Sequence, residues 1–190
     1  LTSINLPELQ LVGDEFLSYN DLIPSVILPK LQRVGDYFLC SNEKLSELCL
    51  PLLQRVGRCF CSDNKLVTSI NLPKLQVAGD WFFHANESAT SVNLPELQVA
   101  GHSFLFLNNS ATRVNLPKLQ QVIGGRFLPN NTSIVELYLP QMPELEQQIA
   151  SRNQGGKNTI TSADISRLDR KNLLTRLEIQ ITKKMMEKLN

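Results

Sequence analysis

Residues 67–88 read VTSINLPKLQVAGDWFFHANES, and the stretch matters because the chain keeps repeating it. Its Leu72-Pro73 has counterparts at Leu6-Pro7, Leu28-Pro29, Leu50-Pro51, Leu94-Pro95, Leu116-Pro117 and Leu139-Pro140, in steps of 22 residues five times and then 23. Two residues after each of the first six prolines stands a leucine (Leu9, Leu31, Leu53, Leu75, Leu97, Leu119), followed at once by a glutamine. A glycine comes six after the proline at Gly13, Gly35, Gly57, Gly79 and Gly101, and a phenylalanine nine after at Phe16, Phe38, Phe60, Phe82 and Phe104. One extra residue in the sixth unit moves these to Gly124 and Phe127. A fixed period of this length marks a stacked repeat, in which each unit buries its apolar face only against its neighbours.

Before each proline lies a short alternation: Ile4 and Leu6, Val26 and Leu28, Leu48 and Leu50, Ile70 and Leu72, Val92 and Leu94, Val114 and Leu116, Leu137 and Leu139. Period-two burial predicts a half-buried strand. Proline ends it, having no N–H for the ladder. The glycine is expected to permit a bend, and Phe with the residue after it to fill the far side of the coil. The expectation is an α/β solenoid with one parallel sheet of about seven strands.

The Leu-x-x-Ile-x-Leu-Pro strand, the Val-Gly step and the following aromatic resemble the leucine-rich repeats of the BspA-like class over residues 1–140. That resemblance implies a leucine-rich-repeat fold and a recognition surface for proteins or cell surfaces, with repeats that are not catalytic. It also implies a bacterial source, and a secreted or host-cell-delivered effector in which virulence is the context.

From Gln141 the repeat stops, dividing the chain into a solenoid (1–140) and a helical segment (141–190). Pro143 suits a first helical turn, with Glu144 near the positive end of the dipole and Gly155-Gly156 closing the helix. Ser162 is a second N-cap candidate, and Ile165, Leu168, Leu174, Leu177, Ile181, Met185 and Leu189 continue an apolar face. The segment is expected to serve as a C-terminal cap. Alternatives are an oligomerisation or partner-binding helix, for which Met185 and Met186 suit adaptable contacts, or the start of a further domain. Leu1 falls at a strand start, so an upstream cap or further repeats are expected to be missing.

Composition narrows the function classes. With 19 Lys and Arg against 18 Asp and Glu, the net charge of +1 gives no electrostatic case for nucleic-acid binding. No run approaches the roughly 18 apolar residues of a membrane span. Cys40, Cys49, Cys59 and Cys61 match no metal-ligand spacing and read as free thiols, which favours a reducing compartment, although a bridge through Cys40–Cys59 or Cys49 stays open. His102 and Asp80 share a repeat position, but no positioned nucleophile accompanies them, so neither a catalytic residue, a metal nor a cofactor is expected. Asn86, Asn108, Asn130 and Asn131 sit in glycosylation-acceptor contexts. Three of them, Asn86, Asn108 and Asn131, hold a recurrent position that Asn20, Asn42 and Asn64 occupy without that context, which points to a turn-forming asparagine.

The functional expectation rests on the outward strand residues. One row runs Ser3, Ser25, Glu47, Ser69, Ser91, Arg113, Glu136, and its neighbour Asn5, Ile27, Cys49, Asn71, Asn93, Asn115, Tyr138. Ile27, Glu47, Cys49, Arg113, Glu136 and Tyr138 depart from the Ser/Asn background and are the candidate binding residues. Trp81 and Phe106 form a further candidate patch, with core filling the alternative for Trp81. The expected activity is non-enzymatic protein binding, including to a host protein, with charge reversal at Glu47 and Arg113 together expected to abolish capture. Alternatives are the targeting arm of a larger enzyme whose catalytic domain lies elsewhere, and a glycosylated adhesin.

Overall fold

The computed structural model describes residues 4–129, 131 and 133–155. The chain winds as a parallel-strand solenoid of about six coils, each carrying two short strands. The first coil holds β1 (Ile4–Asn5) and β2 (Leu11–Val12), the second β3 (Ser25–Ile27) and β4 (Arg33–Val34), the third β5 (Glu47–Cys49) and β6 (Arg55–Val56). The fourth holds β7 (Ser69–Asn71) and β8 (Val77–Ala78), the fifth β9 (Ser91–Asn93) and β10 (Val99–Ala100), the sixth β11 (Arg113–Asn115) and β12 (Gln121–Val122). β13 (Glu136–Tyr138) and the helix α1 (Pro143–Gly155) follow. All strand pairing is parallel and steps one repeat at a time, as in Val26↔Leu48 and Val92↔Val114.

Two features differ from the single sheet expected. The strands before the prolines number seven, but they form a three-stranded sheet (β1-β3-β5) and a four-stranded one (β7-β9-β11-β13), because β5 and β7 do not pair. A second, unbroken six-stranded sheet runs from β2 to β12 through the residues just after each Leu-Gln. Val34, Val56, Ala78, Ala100 and Val122 point from that sheet into the core.

The third side of the coil is not helical, so among the described residues the α component of the expected α/β class is α1 alone. Here the backbone alternates, with Tyr37, Leu39 and Ser41 at φ of 58°, 55° and 53°, and the same three positions left-handed in the neighbouring coils. Each such residue costs roughly 1–2 kcal/mol in isolation. The cost is offset because the alternation aims successive N–H groups at flanking coils: Tyr37 donates to the Arg58 carbonyl, Leu39 to Phe16, and Ser41 to Ser62, at 2.8, 3.1 and 2.9 Å.

The core lies between the three sides. Phe16, Phe38, Phe60, Phe82, Phe104 and Phe127 stack in a column, with successive centroids 5.1–6.0 Å apart and planes within 9° of parallel. Leu39, Cys61, Phe83 and Leu105 pack beside them, buried as the pattern predicts. A second column is polar. Asn64 accepts the N–H of Asn42, Asn86 that of Asn64 and Asn108 that of Asn86, while the Asn86 amide donates to the carbonyls of Cys61 (2.8 Å) and His84 (3.3 Å). The asparagine therefore does hold its local turn, but it also links three coils.

The repeated glycine serves close approach rather than a bend. A Cβ on Gly79 would stand 2.5 Å from the Gly57 carbonyl oxygen, and one on Gly35 2.7 Å from the Asp14 backbone nitrogen. Among the described glycines, only Gly124, at φ +77°, uses glycine's conformational freedom. There the extra residue of the sixth unit is absorbed, since Leu128 still donates to the Phe104 carbonyl and Phe127 still stacks on Phe104.

α1 begins at Pro143, carries Glu144 and Glu146 in its first turn, and packs against β13. Leu145 and Ile149 join the solenoid core, and Glu146 accepts the Leu139 N–H at 3.2 Å. The expected apolar face over 165–189 lies outside the described residues, as does Ser3.

Candidate recognition surface

The parallel register places Ser91, Arg113 and Glu136 in one outward row and Asn93, Asn115 and Tyr138 in the next. Arg113 Nε lies 3.2 Å from Glu136 Oε2, with both side chains about two-thirds exposed (68% and 65%). A pair this exposed contributes at most about 1 kcal/mol, so it organises the surface without holding the fold. Beside it the amides form a ladder: Asn115 Nδ2 donates to Asn93 Oδ1 at 2.7 Å, and Asn93 Nδ2 to Asn71 Oδ1 at 2.8 Å. The ladder runs up to Tyr138, which is 54% exposed. These rows line an open depression of about 530 Å³, whose rim includes Val135, 81% exposed.

The remaining strand-face candidates are elsewhere. Ile27 and Cys49 are register partners, and Glu47 partners Ser25, all on the three-stranded sheet. The interruption between β5 and β7 separates them from Arg113, Glu136 and Tyr138, so Glu47 and Arg113 belong to different sheets. Val135 was not singled out in the sequence. The signal was present, because the four preceding members of its row are Ser46, Thr68, Thr90 and Thr112, and Thr90 and Thr112 each donate to the carbonyl one coil earlier.

Trp81 and Phe106 are brought together on the left-handed side of the coil. The indole meets Phe106 edge-on at 5.7 Å and also abuts His84 (5.3 Å) and His102 (5.9 Å), while His84 stacks on Phe106 at 5.3 Å. All four rings are half-buried, intermediate between the outward and core readings of Trp81. Burial holds the His84 imidazole below its ordinary pKa. Asp80 does meet His102, but its carboxylate accepts the His102 backbone N–H at 2.7 Å. Asp36 does the same for Arg58, and that backbone bond is the main cause of its lowered pKa.

All four cysteines are free thiols. Cys49 is exposed, whereas burial pushes Cys40 up to about 11 and Cys61 higher still. Iodoacetamide at pH 8 is expected to label Cys49 first and to leave Cys61 untouched until unfolding, as intact mass and peptide mapping would show. Because the folded Cys40 pKa exceeds the ordinary 9.0, its contribution to stability is intact below pH 9 and is lost as pH climbs towards about 11.

Among the described residues no cluster of His, Cys, Asp and Glu could hold a metal, and no helix is long and apolar enough to cross a membrane. Comparison with protein-family models, with curated proteins and with solved structures finds no match.

Proposed function

We propose that this chain is a non-enzymatic protein-recognition module of leucine-rich-repeat type, binding a protein ligand through the strand face of β9, β11 and β13. The observation that carries this reading is the convergence of an exposed tyrosine, an exposed valine and the Arg113–Glu136 pair around one depression. Tyrosine and arginine are the side chains that most often anchor protein interfaces, since they bring large contact area and hydrogen bonding at low entropic cost. The parallel stack supplies a rigid platform for them, as solenoids commonly do. In this reading α1 is the C-terminal cap, with Leu145 and Ile149 covering the last coil. The resemblance to BspA-like repeats supports a bacterial, surface or host-directed role, with a host protein as ligand.

Binding of a captured ligand is expected to weaken at least tenfold in Tyr138→Ala and to vanish when Arg113→Glu is added, with unchanged circular dichroism. Ile123→Ser, exposed just after β12 of the second sheet, should bind as wild type. Equal binding by wild type and the double variant would sink the proposal, as would equal loss in Ile123→Ser.

A further inference from the structure

The interruption between β5 and β7 leaves a specific set of backbone groups open. At the other junctions of this face, the leucine before the proline donates its N–H to the next coil: Leu6 to Ile27, Leu28 to Cys49, Leu72 to Asn93, Leu94 to Asn115 and Leu116 to Tyr138, at 3.0–3.4 Å. A second bond runs the other way, from Ser46 to Pro24, Thr90 to Thr68, Thr112 to Thr90 and Val135 to Thr112. Between the third and fourth coils both are missing among the described residues. Leu50 does not reach the Asn71 carbonyl, and Thr68 does not reach that of Ser46. The other two sides stay closed there: Val56 pairs with Ala78, Gly79 donates to Val56, and Phe83 donates to Phe60. The stack is therefore opened along one side only.

Side chains follow the same division. The amide ladder starts at Asn71 and cannot extend to Cys49, which has no amide to offer. Leu48 is only partly buried, like Ile4 and Leu137 in the end strands of this row, whereas Val26, Ile70, Val92 and Val114 are buried. Glu47 is exposed and makes no ion pair with any described residue.

From this arrangement we infer that the opening between β5 and β7 is a strand-addition site for an extended polypeptide with alternating basic and apolar residues. A segment laid between the strands meets the Leu50 N–H and Ser46 carbonyl on one side and the Thr68 N–H and Asn71 carbonyl on the other. Main-chain bonding of this kind supplies affinity, while alternate side chains supply selectivity. An inward apolar side chain lies beside Leu48 and Ile70, and an outward basic one faces Glu47. Full insertion sets β5 and β7 two strand spacings apart, about 9.6 Å. The site shares no residue with the lining of the depression beside Tyr138, so either assignment can fail alone.

The probe is the capped peptide Lys-Val-Lys-Val-Lys, compared with the same peptide N-methylated at alternate residues. Added to the full chain, the first should slow hydrogen exchange at the Leu50 and Thr68 amides at least tenfold. N-methylation should weaken binding at least tenfold. Cys49→Asn, which lets the amide ladder cross the junction, should close the site with a similar loss, and Glu47→Gln should weaken binding severalfold. Tyr138→Ala should bind the peptide as wild type. The inference is overturned if neither peptide binds, if both bind equally, or if the Leu50 and Thr68 amides are already protected in the free protein.

Discussion

Phe82→Ala is expected to lower the stability of the solenoid by about 3–5 kcal/mol. The ring is wholly buried, lying 5.4 Å from Phe60 and 5.1 Å from Phe104, with Phe83 at 6.2 Å. Truncation loses the transfer energy of the ring and leaves a void in the middle of the column. The coils on either side are held apart at their normal spacing by backbone bonds such as Phe83 to Phe60 and Leu105 to Phe82, so the void cannot readily close. Because a repeat stack is coupled only between neighbours, the loss should also separate unfolding of the flanking coils. Urea titration by circular dichroism should show a lower midpoint and a broadened or split transition. A loss below about 1 kcal/mol would show that the column is not where the stack is held.

Asn86→Ala is expected to cost about 2–6 kcal/mol, from two buried groups left unpaired at roughly 1–3 kcal/mol each. These are the Asn64 N–H, which loses Oδ1 at 3.0 Å, and the Cys61 carbonyl, which loses Nδ2 at 2.8 Å. Asn86→Asp should retain the first bond but set a carboxylate against two carbonyls, giving a deficit that shrinks on acidification as the carboxyl becomes a donor. Thermal melts at neutral and acidic pH separate the two variants. The same geometry governs glycosylation. The Asn86, Asn108 and Asn131 side chains are buried, and the nitrogen a glycan would occupy is already a donor inside the column. Folded protein should therefore carry no glycan at these residues, and Ser88→Ala, which removes one acceptor context, should leave stability unchanged.

The asparagine column shows what could be read in advance. Its recurrence with and without acceptor contexts pointed to a conformational role, and the local half of that role is present, but the bonds between coils are not visible in any single unit. The candidate residues show the opposite balance. Arg113, Glu136 and Tyr138 stood out from their rows and do lie together, whereas Glu47 and Cys49 stood out equally and lie across an interruption. Single-row reading cannot see that interruption, because it depends on whether two adjacent coils keep their bonds.

Periodicity alone determined the solenoid, its parallel one-repeat register and the inward columns of Leu and Phe, since each recurs at the spacing at which one coil lands on the next. The start of α1 at Pro143 was also legible, because helix termini are written in local chemistry. Only the tertiary structure decided the second sheet, the left-handed third side and the opening between β5 and β7. Leucines, aromatics and cysteines do not favour positive φ by themselves. They adopt it here because hydrogen bonds to the coils above and below outweigh the local strain, and that balance exists only once the stack has formed.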